Sequence, residues 1–245
     1  ANIIKEYEKR GYAGVKIADT NYQKNKELSK ELALRGKLSI EIRESLIQDI
    51  QIKGLNETSM SVVKPKIEFE KGEYLKVKDY KNTYENLHST NFFKEIDIRT
   101  EIAEPKGVNV IVELTERKTG SYNVGVGYNE EKGAMFIADI KETNLLGTGK
   151  QVSLDTEKTQ KGYQIKGNYR DPYFREDISV STGFVLGEEE RNEQKTKLKR
   201  VYASINKRLK ENLDIYGSVK SENFNSTDSD LEDGNVNTIN AGIVL

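Results

Sequence analysis

The sequence predicts two kinds of structure in one chain: small α+β domains first, then the antiparallel strands of a transmembrane β-barrel. Before Thr119 helical and strand patterns alternate along the 245 residues, and after it only strand patterns occur. The segment that begins at Thr119 reads Thr-Gly-Ser-Tyr-Asn-Val-Gly-Val-Gly-Tyr-Asn, with tyrosine and valine on one face and asparagine and glycine on the other. An aromatic–apolar–aromatic row of about ten residues is what a tilted strand needs to cross a bilayer. The same row also fits a half-buried strand of a soluble sheet, so the neighbouring segments decide between the two.

The composition excludes some classes of protein and leaves the barrel open. Lys plus Arg number 39 and Asp plus Glu number 40, so a net charge of −1 gives no basic field for nucleic acid. A mean hydropathy of −0.73 is typical of soluble proteins, but also of barrels, in which only alternate residues face lipid. The absence of cysteine excludes disulfides and thiolate metal sites. No charged-then-apolar signal segment opens the sequence, and we expect the chain to be a fragment of a longer precursor.

Residues 1–45 read as the C-terminal part of one small α+β domain. A helical face at the start of the chain ends at Gly11, and strands are predicted at 12–17 and 36–44. The charged segment Tyr22 to Leu34 fits either a helix or a loop.

Residues 46–118 read as a complete domain with the order β-α-α-β-β. A strand at 46–53 ends at Gly54, and a short helix follows that Pro65 kinks or ends. Apolar residues at helical spacing between Val77 and Leu87 predict a second helix. Two strands complete the unit, one through Ile96 and Ile98 and one at 107–117.

Residues 119–245 read as eight barrel strands, at 119–129, 133–143, 149–158, 161–170, 176–187, 194–207, 211–222 and 236–245. Most show an apolar row on one face. The opposite rows carry the polar residues of a lumen, Asp139, Lys141, Lys166, Asn168, Asp214 and Lys220. Strand 194–207 has two competing rows, one through Val201 and Ile205 and one through Leu198 and Tyr202, so its register stays open.

The predicted connections differ in length between the two ends of this sheet. At one end they are short turns at 144–147, 171–175 and 208–210. At the other end they are loops at 130–132, 159–160, 188–193 and 222–235, of which the last is long and polar. Barrels of this kind have short periplasmic turns and longer outer loops, so the pattern orients the sheet.

Several motifs carry a family resemblance. Ile52-Lys-Gly, Phe92-Phe-Lys-Glu-Ile-Asp-Ile and Val110-Ile-Val-Glu-Leu-Thr-Glu, with two helices between the first and second, resemble a polypeptide-transport-associated (POTRA) domain. The turns Asn144-Leu-Leu-Gly-Thr-Gly and Tyr169-Arg-Asp-Pro-Tyr-Phe are similar to the early turns of BamA-type barrel assembly factors. The resemblance covers nearly the whole chain. It departs at the C-terminus, where the family's barrel of about sixteen strands would continue beyond the eight predicted here. The expected fold class is therefore α+β POTRA repeats (βααββ) followed by all-β antiparallel transmembrane strands, with half of the barrel wall present.

The resemblance implies a non-enzymatic insertion factor of the bacterial outer membrane, with its N-terminal domains in the periplasm and no cofactor or nucleotide. Its partners would be unfolded barrel proteins (the clients), membrane lipids and periplasmic accessory subunits. Clients would bind at open sheet edges, which tolerate many sequences.

Two client-binding regions and one set of turns are expected. One region is the POTRA edge, at Lys94, Ile96 and Ile98. The other is a lateral gate at the first barrel strand, formed by Tyr122, Asn123, Val124, Gly125, Val126, Gly127 and Tyr128. The structural turns contain Asn144, Gly147, Gly149, Asp171 and Pro172. Gly125 and Gly127 offer no inward side chains, so the seam at this strand would be weak, unless they serve only to relieve crowding or permit curvature.

Two other functions stay open at this point. A related POTRA-barrel secretion channel would share the same plan, and a soluble α+β scaffold would share the first domains. Three local features favour ordinary roles. His88 beside Ser89 does not fit a catalytic triad, and the acidic loop at 228–233 lacks the spacing of an EF-hand. The basic run Lys195, Lys197, Lys199 and Arg200 fits a solvated strand end as well as a site for anionic headgroups.

Overall fold

The computed structural model describes residues 2–23, 37–103, 107–175, 177–191, 194–210, 212–226 and 234–244. The chain divides into two units. Unit 1 comprises Ala1–Asn56 and Val63–Arg117, and unit 2 comprises Glu57–Val62 and Lys118–Leu245. Within the described residues, no helix is long and apolar enough to cross a membrane.

The first elements of unit 1 are a helix and a hairpin-like strand pair. Helix α1 (Asn2–Lys9) ends before Gly11, whose φ of 86° is the left-handed geometry that glycine supplies at a helix end. Strands β1 (Lys16–Gln23) and β2 (Lys37–Arg43) form a two-stranded antiparallel sheet. Tyr22, predicted to open a helix or loop, lies in β1. The remainder of that segment, 24–34, lies outside the described residues.

The second part of unit 1 has the expected βααββ order. Strand β3 (Ile47–Lys53) leads to the short helix α2 (Met60–Val63), which a 3-10 turn at Lys64–Lys66 continues. Pro65 lies in that turn, because proline cannot donate the next helical hydrogen bond. Helix α3 (Val77–Thr90) follows, then β4 (Phe93–Ile102) and β5 (Val108–Glu116).

Strand β5 lies at the centre of this three-stranded sheet, whose order is β3-β5-β4. It runs parallel to β3 and antiparallel to β4. The central position explains its sequence: Val110, Ile111 and Val112 are consecutive, and all three are buried. Leu87 of α3 and Phe92 after it are buried as well, so this domain has an ordinary hydrophobic core.

Unit 2 contains an eight-stranded antiparallel sheet in which every strand pairs with its neighbours in the sequence. Its strands are β6 (Gly120–Asn129), β7 (Gly133–Leu145), β8 (Lys150–Thr159), β9 (Gly162–Arg175), β10 (Ile178–Arg191), β11 (Gln194–Lys210), β12 (Leu213–Ser226) and β13 (Gly234–Val244). The predicted number and order of strands are confirmed, and several strands extend further than predicted.

The extensions correct two predicted turns. Asp171 and Pro172, predicted in a turn at 171–175, lie inside β9. The register slips there, so that Asp171 opposes Val180 while Arg175 opposes Ile178. This irregularity accommodates a proline that has no N–H for the sheet. The reversal falls instead beside Asp177, whose φ is 58°.

The predicted turn at 208–210 lies within β11 in the same way. The loops predicted at 188–193 and 222–235 shorten, because β10, β12 and β13 extend into them. What remains of these loops, 192–193 and 227–233, lies outside the described residues, and with it the whole acidic segment 228–233.

The pairing also resolves the register of the strand predicted at 194–207. Val201 pairs with Phe184 and Ile205 pairs with Val180, so these residues share one face of the sheet. Leu198 and Tyr202 lie on the opposite face. The sequence left this open because both rows of the strand carry apolar residues.

Candidate functional site

The sheet of unit 2 has one continuous apolar face. Register pairs align Val124 with Ala138, Ile165 with Leu186, and Val219 with Ile239, among others. The face consists of these rows, strand by strand: Tyr122, Val124, Val126, Tyr128; Ala134, Phe136, Ala138, Ile140; Val152, Leu154, Thr156; Tyr163, Ile165, Gly167, Tyr169; Val180, Thr182, Phe184, Leu186; Val201, Ala203, Ile205; Ile215, Gly217, Val219; and Ile239, Ala241, Ile243.

These rows contain no charged residue, and charges begin immediately beyond them. Glu142 on β7 and Lys158 on β8 flank the rows on their strands, and Lys199 and Lys207 flank the row of β11. Four alternating residues span roughly 20 Å of strand, and a tilted row of that length suits the apolar band of an outer-membrane barrel. This apolar face extends across all eight strands.

The opposite, inner face is polar and internally hydrogen-bonded. Asn123 Nδ2 donates to Asp139 Oδ2 at 3.3 Å, and the Tyr202 hydroxyl donates to Asn168 Oδ1 at 3.3 Å. Glu222 is buried between two cations, Arg200 and Lys220, and lies 2.6 Å from the ammonium of Lys220. The predicted polar rows therefore lie on one face, where several of their groups bond to one another.

Strand β6, the predicted gate, lies at one end of the sheet and pairs only with β7 in the part of the chain that the structure describes. Tyr122 and Val126 are each 85% exposed, compared with 38% for Phe184 inside the sheet. On the inner side, nothing lies within 4 Å of a Cβ built on Gly125, and at Gly127 the nearest atom is Met135 Cγ at 3.5 Å. An end strand of this kind leaves one row of N–H and C=O groups without a partner strand.

Strand β4, which holds the predicted POTRA site, is a sheet edge as expected. The other edge, β3, is partly covered, since Ile47 N–H donates to Glu73 O at 2.9 Å and Gly72 N–H donates to Ile47 O at 2.8 Å. Among the described residues, β4 has backbone partners only on β5. Ile96 and Ile98 are half-buried.

Lys94 has a role that the sequence did not reveal. The β4–β5 register shifts between Phe93 and Glu95, so Lys94 occupies a bulge. A bulge and an exposed lysine both discourage pairing at an edge. The regular pairing surface of β4 is therefore Glu95–Ile102.

The turn at Asn144 and Gly147 contacts the segment Glu57–Val62, which the same unit contains. Asn144 is buried and donates from Nδ2 to Thr58 Oγ1 at 3.0 Å, while its Oδ1 accepts the N–H of Gly149 at 2.8 Å. Ser59 N–H donates to Gly147 O at 2.8 Å. We call these contacts the Asn144 clasp.

Glycine is required within the clasp. Gly147 has a φ of 71°, and a Cβ there would overlap the carbonyl oxygen of Glu57. The sequence predicted a tight turn at this position but not its partner, because the two segments lie far apart in the chain.

The catalytic and metal-binding alternatives find no support among the described residues. The His88 ring stacks on Tyr84, with ring centroids 5.8 Å apart, while the Ser89 hydroxyl donates to Asn86 O at 2.8 Å. No group of His, Asp or Glu suited to a metal ion occurs in the described part of the chain. In the basic run, Lys195 lies 3.7 Å from Glu190 and Lys197 lies 3.9 Å from Glu188.

Comparisons with known proteins match one domain by family and larger parts of the chain by sequence. Residues 45–117 match the POTRA family, described as a surface antigen variable number repeat. The outer membrane protein assembly factor BamA of Neisseria meningitidis serogroup B is 26% identical over 144 residues, which are 58% of this chain and 18% of that protein. BamA of Buchnera aphidicola subsp. Acyrthosiphon pisum is 27% identical over 177 residues, 70% of this chain and 27% of that protein.

Two solved structures share the fold over the length of the chain. BamA from Haemophilus ducreyi lacking POTRA domains 1–3 aligns with a TM-score of 0.69 and 19% identity, covering 99% of this chain and 51% of that one. CdiB from Acinetobacter baumannii aligns with a TM-score of 0.60 and 15% identity, covering 98% and 48%. The chain thus spans about half of these structures and a smaller part of the curated relatives. It carries a POTRA domain followed by eight antiparallel strands, and its resemblance to BamA-type outer-membrane assembly factors is confirmed.

Proposed function

We propose that the chain is part of an outer-membrane assembly factor that binds unfolded barrel proteins and inserts them into the membrane. The observation that carries this proposal is the charge-free apolar face of unit 2, which ends at β6, a strand that pairs only with β7 among the described residues. Water does not favour an exposed apolar surface of this extent, whereas a bilayer does. The domains of this proposal are 1–45 and 46–118 in the periplasm and 119–245 in the barrel wall.

The gate acts through its backbone. In a complete barrel the free side of β6 pairs with the last strand, and opening that seam exposes N–H and C=O groups to an incoming client strand. Interior glycines cost about 0.5–1 kcal/mol each relative to alanine, so Gly125 and Gly127 weaken the seam. No cofactor takes part, and the work is binding and templating rather than catalysis.

The POTRA edge acts earlier, on clients that are still in the periplasm. An extended client segment adds to β4 along Glu95–Ile102 through main-chain hydrogen bonds, which explains tolerance of many client sequences. Lipids contact the apolar face, and accessory subunits bind the periplasmic domains.

A cysteine pair in the full-length protein tests the gate. A disulfide that locks β6 to the last barrel strand should stop client insertion into liposomes, and reduction should restore it. A cysteine at Asn123 should also form a disulfide with the terminal strand of a stalled client. A locked protein that inserts clients at the normal rate would refute the gate.

Labelling in intact cells tests the orientation. The region of Ser226 should face the outside and Phe174 the periplasm, because the longest interval between strands of this sheet, from Ser226 to Gly234, lies at that end. An impermeant thiol reagent should therefore label a cysteine at 226 and not at 174. The reverse pattern would overturn the orientation.

A secretion channel of the same plan is the second candidate, and the polar inner face favours it to the extent that such a wall can line an aqueous passage. The two functions separate in reconstituted liposomes, where an assembly factor inserts added barrel proteins and a channel moves a soluble passenger. A soluble scaffold fits less well, because it would leave the apolar face in water.

A further inference from the structure

The basic run of β11 divides between the two faces of the sheet. Its lysines alternate along the strand and lie on the outward, apolar face: Lys195, Lys197 and Lys199. Arg200 faces inward, where it binds Glu222. Lys199 is the next outward residue beyond Val201, which ends the apolar row of β11, so the lysines begin where the apolar face ends.

The three lysines differ in what lies beside them. Glutamates of β10 lie close to the ammonium groups of Lys195 and Lys197, at 3.7 Å and 3.9 Å. Lys199 has Leu186 and Asn223 as its direct cross-strand partners, so no carboxylate lies opposite it. It takes part in none of the salt bridges that β11 makes within the described residues. A positive charge therefore remains at the border of the apolar face.

The neighbouring strands continue this surface with amide groups. Four asparagines lie outward beyond the apolar rows of β12 and β13: Asn223, Asn225, Asn235 and Asn237. Asn223 is the direct partner of Lys199, and its Nδ2 donates to Asn235 Oδ1 at 2.8 Å. No carboxylate occurs among the outward-facing residues described at this end of β12 and β13. We call Lys197, Lys199 and the four asparagines the Lys–Asn patch.

We propose that the Lys–Asn patch binds the headgroup of a phosphorylated glycolipid in the outer leaflet of the membrane. The inference rests on the proposed function, which places lipid against the apolar rows of β11–β13 and directs the Ser226 end of the sheet outward. The acyl chains lie along those rows, and the headgroup begins where the rows end. Ammonium groups attract the phosphate, and amide groups both donate to and accept from sugar hydroxyls.

The opposite border of the same apolar row gives a matched comparison. Lys207 is also outward-facing and exposed, next to Ile205. Its direct cross-strand partners are Ile178 and Ile215, whose side chains offer no hydrogen-bond donor. A general attraction between cations and anionic lipid acts on Lys199 and Lys207 alike, whereas a headgroup site acts at Lys199.

The test counts the lipids bound to the full-length protein by native mass spectrometry after extraction from phosphatidylcholine vesicles that contain a probe lipid. The probes are diphosphoryl lipid A and the same glycolipid without its phosphates, and we expect only the first to be retained. Lys199→Gln should weaken the apparent affinity about fivefold, as expected for one lysine near an anionic surface. Asn223→Ala should weaken it about threefold through a lost hydrogen bond. Lys207→Gln should leave it unchanged, and excess inorganic phosphate should not displace the lipid.

The outcomes separate the inference from the proposed function. A parent protein that enters the vesicles and retains both probes equally would leave the proposed function standing and overturn the phosphate site. Equal losses for Lys199→Gln and Lys207→Gln would overturn it as well, because only a general attraction would remain. Displacement by inorganic phosphate would overturn the assignment to a lipid. A protein that does not enter the vesicles would refute the proposed function and the inference together. Both lysines are exposed, so the variants are expected to fold, and the gel mobility of the unheated barrel verifies this.

Discussion

Unit 1 and unit 2 place the same kinds of side chain in opposite surroundings. In unit 1, Val110, Ile111, Val112 and Leu87 are at most 1% exposed, as in any water-soluble core. In unit 2, the buried apolar residues among those described are Val62 and Val185, and the other large apolar side chains lie on or near the surface. The difference shows that period-two alternation specifies a strand with one apolar and one polar face. Whether the apolar face packs in a protein core or stays exposed depends on the whole sheet.

The inner face of unit 2 supplies the second half of this lesson. Its polar groups bond to one another across strands, as Ser181 does with Ser204 at 2.7 Å. A soluble sheet of the usual kind has an apolar face buried and a polar face in water. Unit 2 has the polar face organised and the apolar face exposed, which is the arrangement of a barrel wall.

The largest difference between the two units should appear when a carboxylate is placed on the apolar residues of each. Val112→Asp puts an unpaired charge in the core of unit 1 and should cost about 4 kcal/mol or more, enough to unfold that domain. Loss of the α3 helical signal in circular dichroism, followed in urea, measures this. Val126→Asp, on the exposed face of unit 2, should leave the signal of α3 unchanged.

A lysine on the apolar face of unit 2 tests whether that face contacts lipid. Val124→Lys should cost about 2–4 kcal/mol for the folded full-length protein in a bilayer, the range for a cation near the membrane midplane. Asn123→Lys is the matched control, because its side chain faces inward, and it should cost much less. Equal unfolding free energies for the two variants in liposomes would contradict a lipid-facing surface.

Substitutions in the Asn144 clasp should cost less free energy of unfolding than charges placed on the apolar residues of either unit. Asn144→Ala removes the donor to Thr58 and the acceptor for Gly149, and leaving buried partners unsatisfied costs about 1–3 kcal/mol. Faster hydrogen exchange at the amides of Ser59 and Gly149 would report the opening. Thr148→Ala removes an exposed bond to Leu145 O and should leave both amides protected.

The smallest effect should come from Asp79 in the first turn of α3. Burial raises the pKa of this carboxyl, so the folded domain binds its proton more tightly than the unfolded chain does. The stability that protonated Asp79 contributes is therefore full below the pKa of the unfolded chain, and it is lost as pH rises through the pKa of the folded domain. Asp79→Asn should flatten this fall in urea midpoints between acid and neutral pH.

Prediction from the sequence succeeded where one residue pattern decides one strand. The rows of β6 and β10, and the proline-limited helix before Lys64–Lys66, follow from local spacing and backbone chemistry. It failed at Asp171 and Pro172, because an Asp-Pro pair starts turns in isolated chain but is absorbed here by a slipped register. The register of β11 needed its neighbours, since both of its rows carry apolar residues.

The site residues divide in the same way. The edge position of β4 and the uncovered β6 were foreseeable from strand order, whereas the bulge at Lys94 depends on pairing with Glu116 and Thr115. The aromatic rings that lie over Gly167, Gly183 and Gly242 come from adjacent strands, so their placement depends on cross-strand pairing, which no single segment reveals.

The Asn144 clasp also has a consequence for the order of folding. Thr58 and Asn144 are 86 residues apart in the chain, and the bond between them closes a long loop. Closing a loop of this length costs entropy before the contact can stabilise the fold, so such contacts form late. The clasp can close only after the β7–β8 hairpin has reversed at Gly147 and brought Gly149 back to Asn144. Its hydrogen bonds are therefore a marker that the β7–β8 hairpin is complete, and amide protection at Ser59 would time that event during assembly.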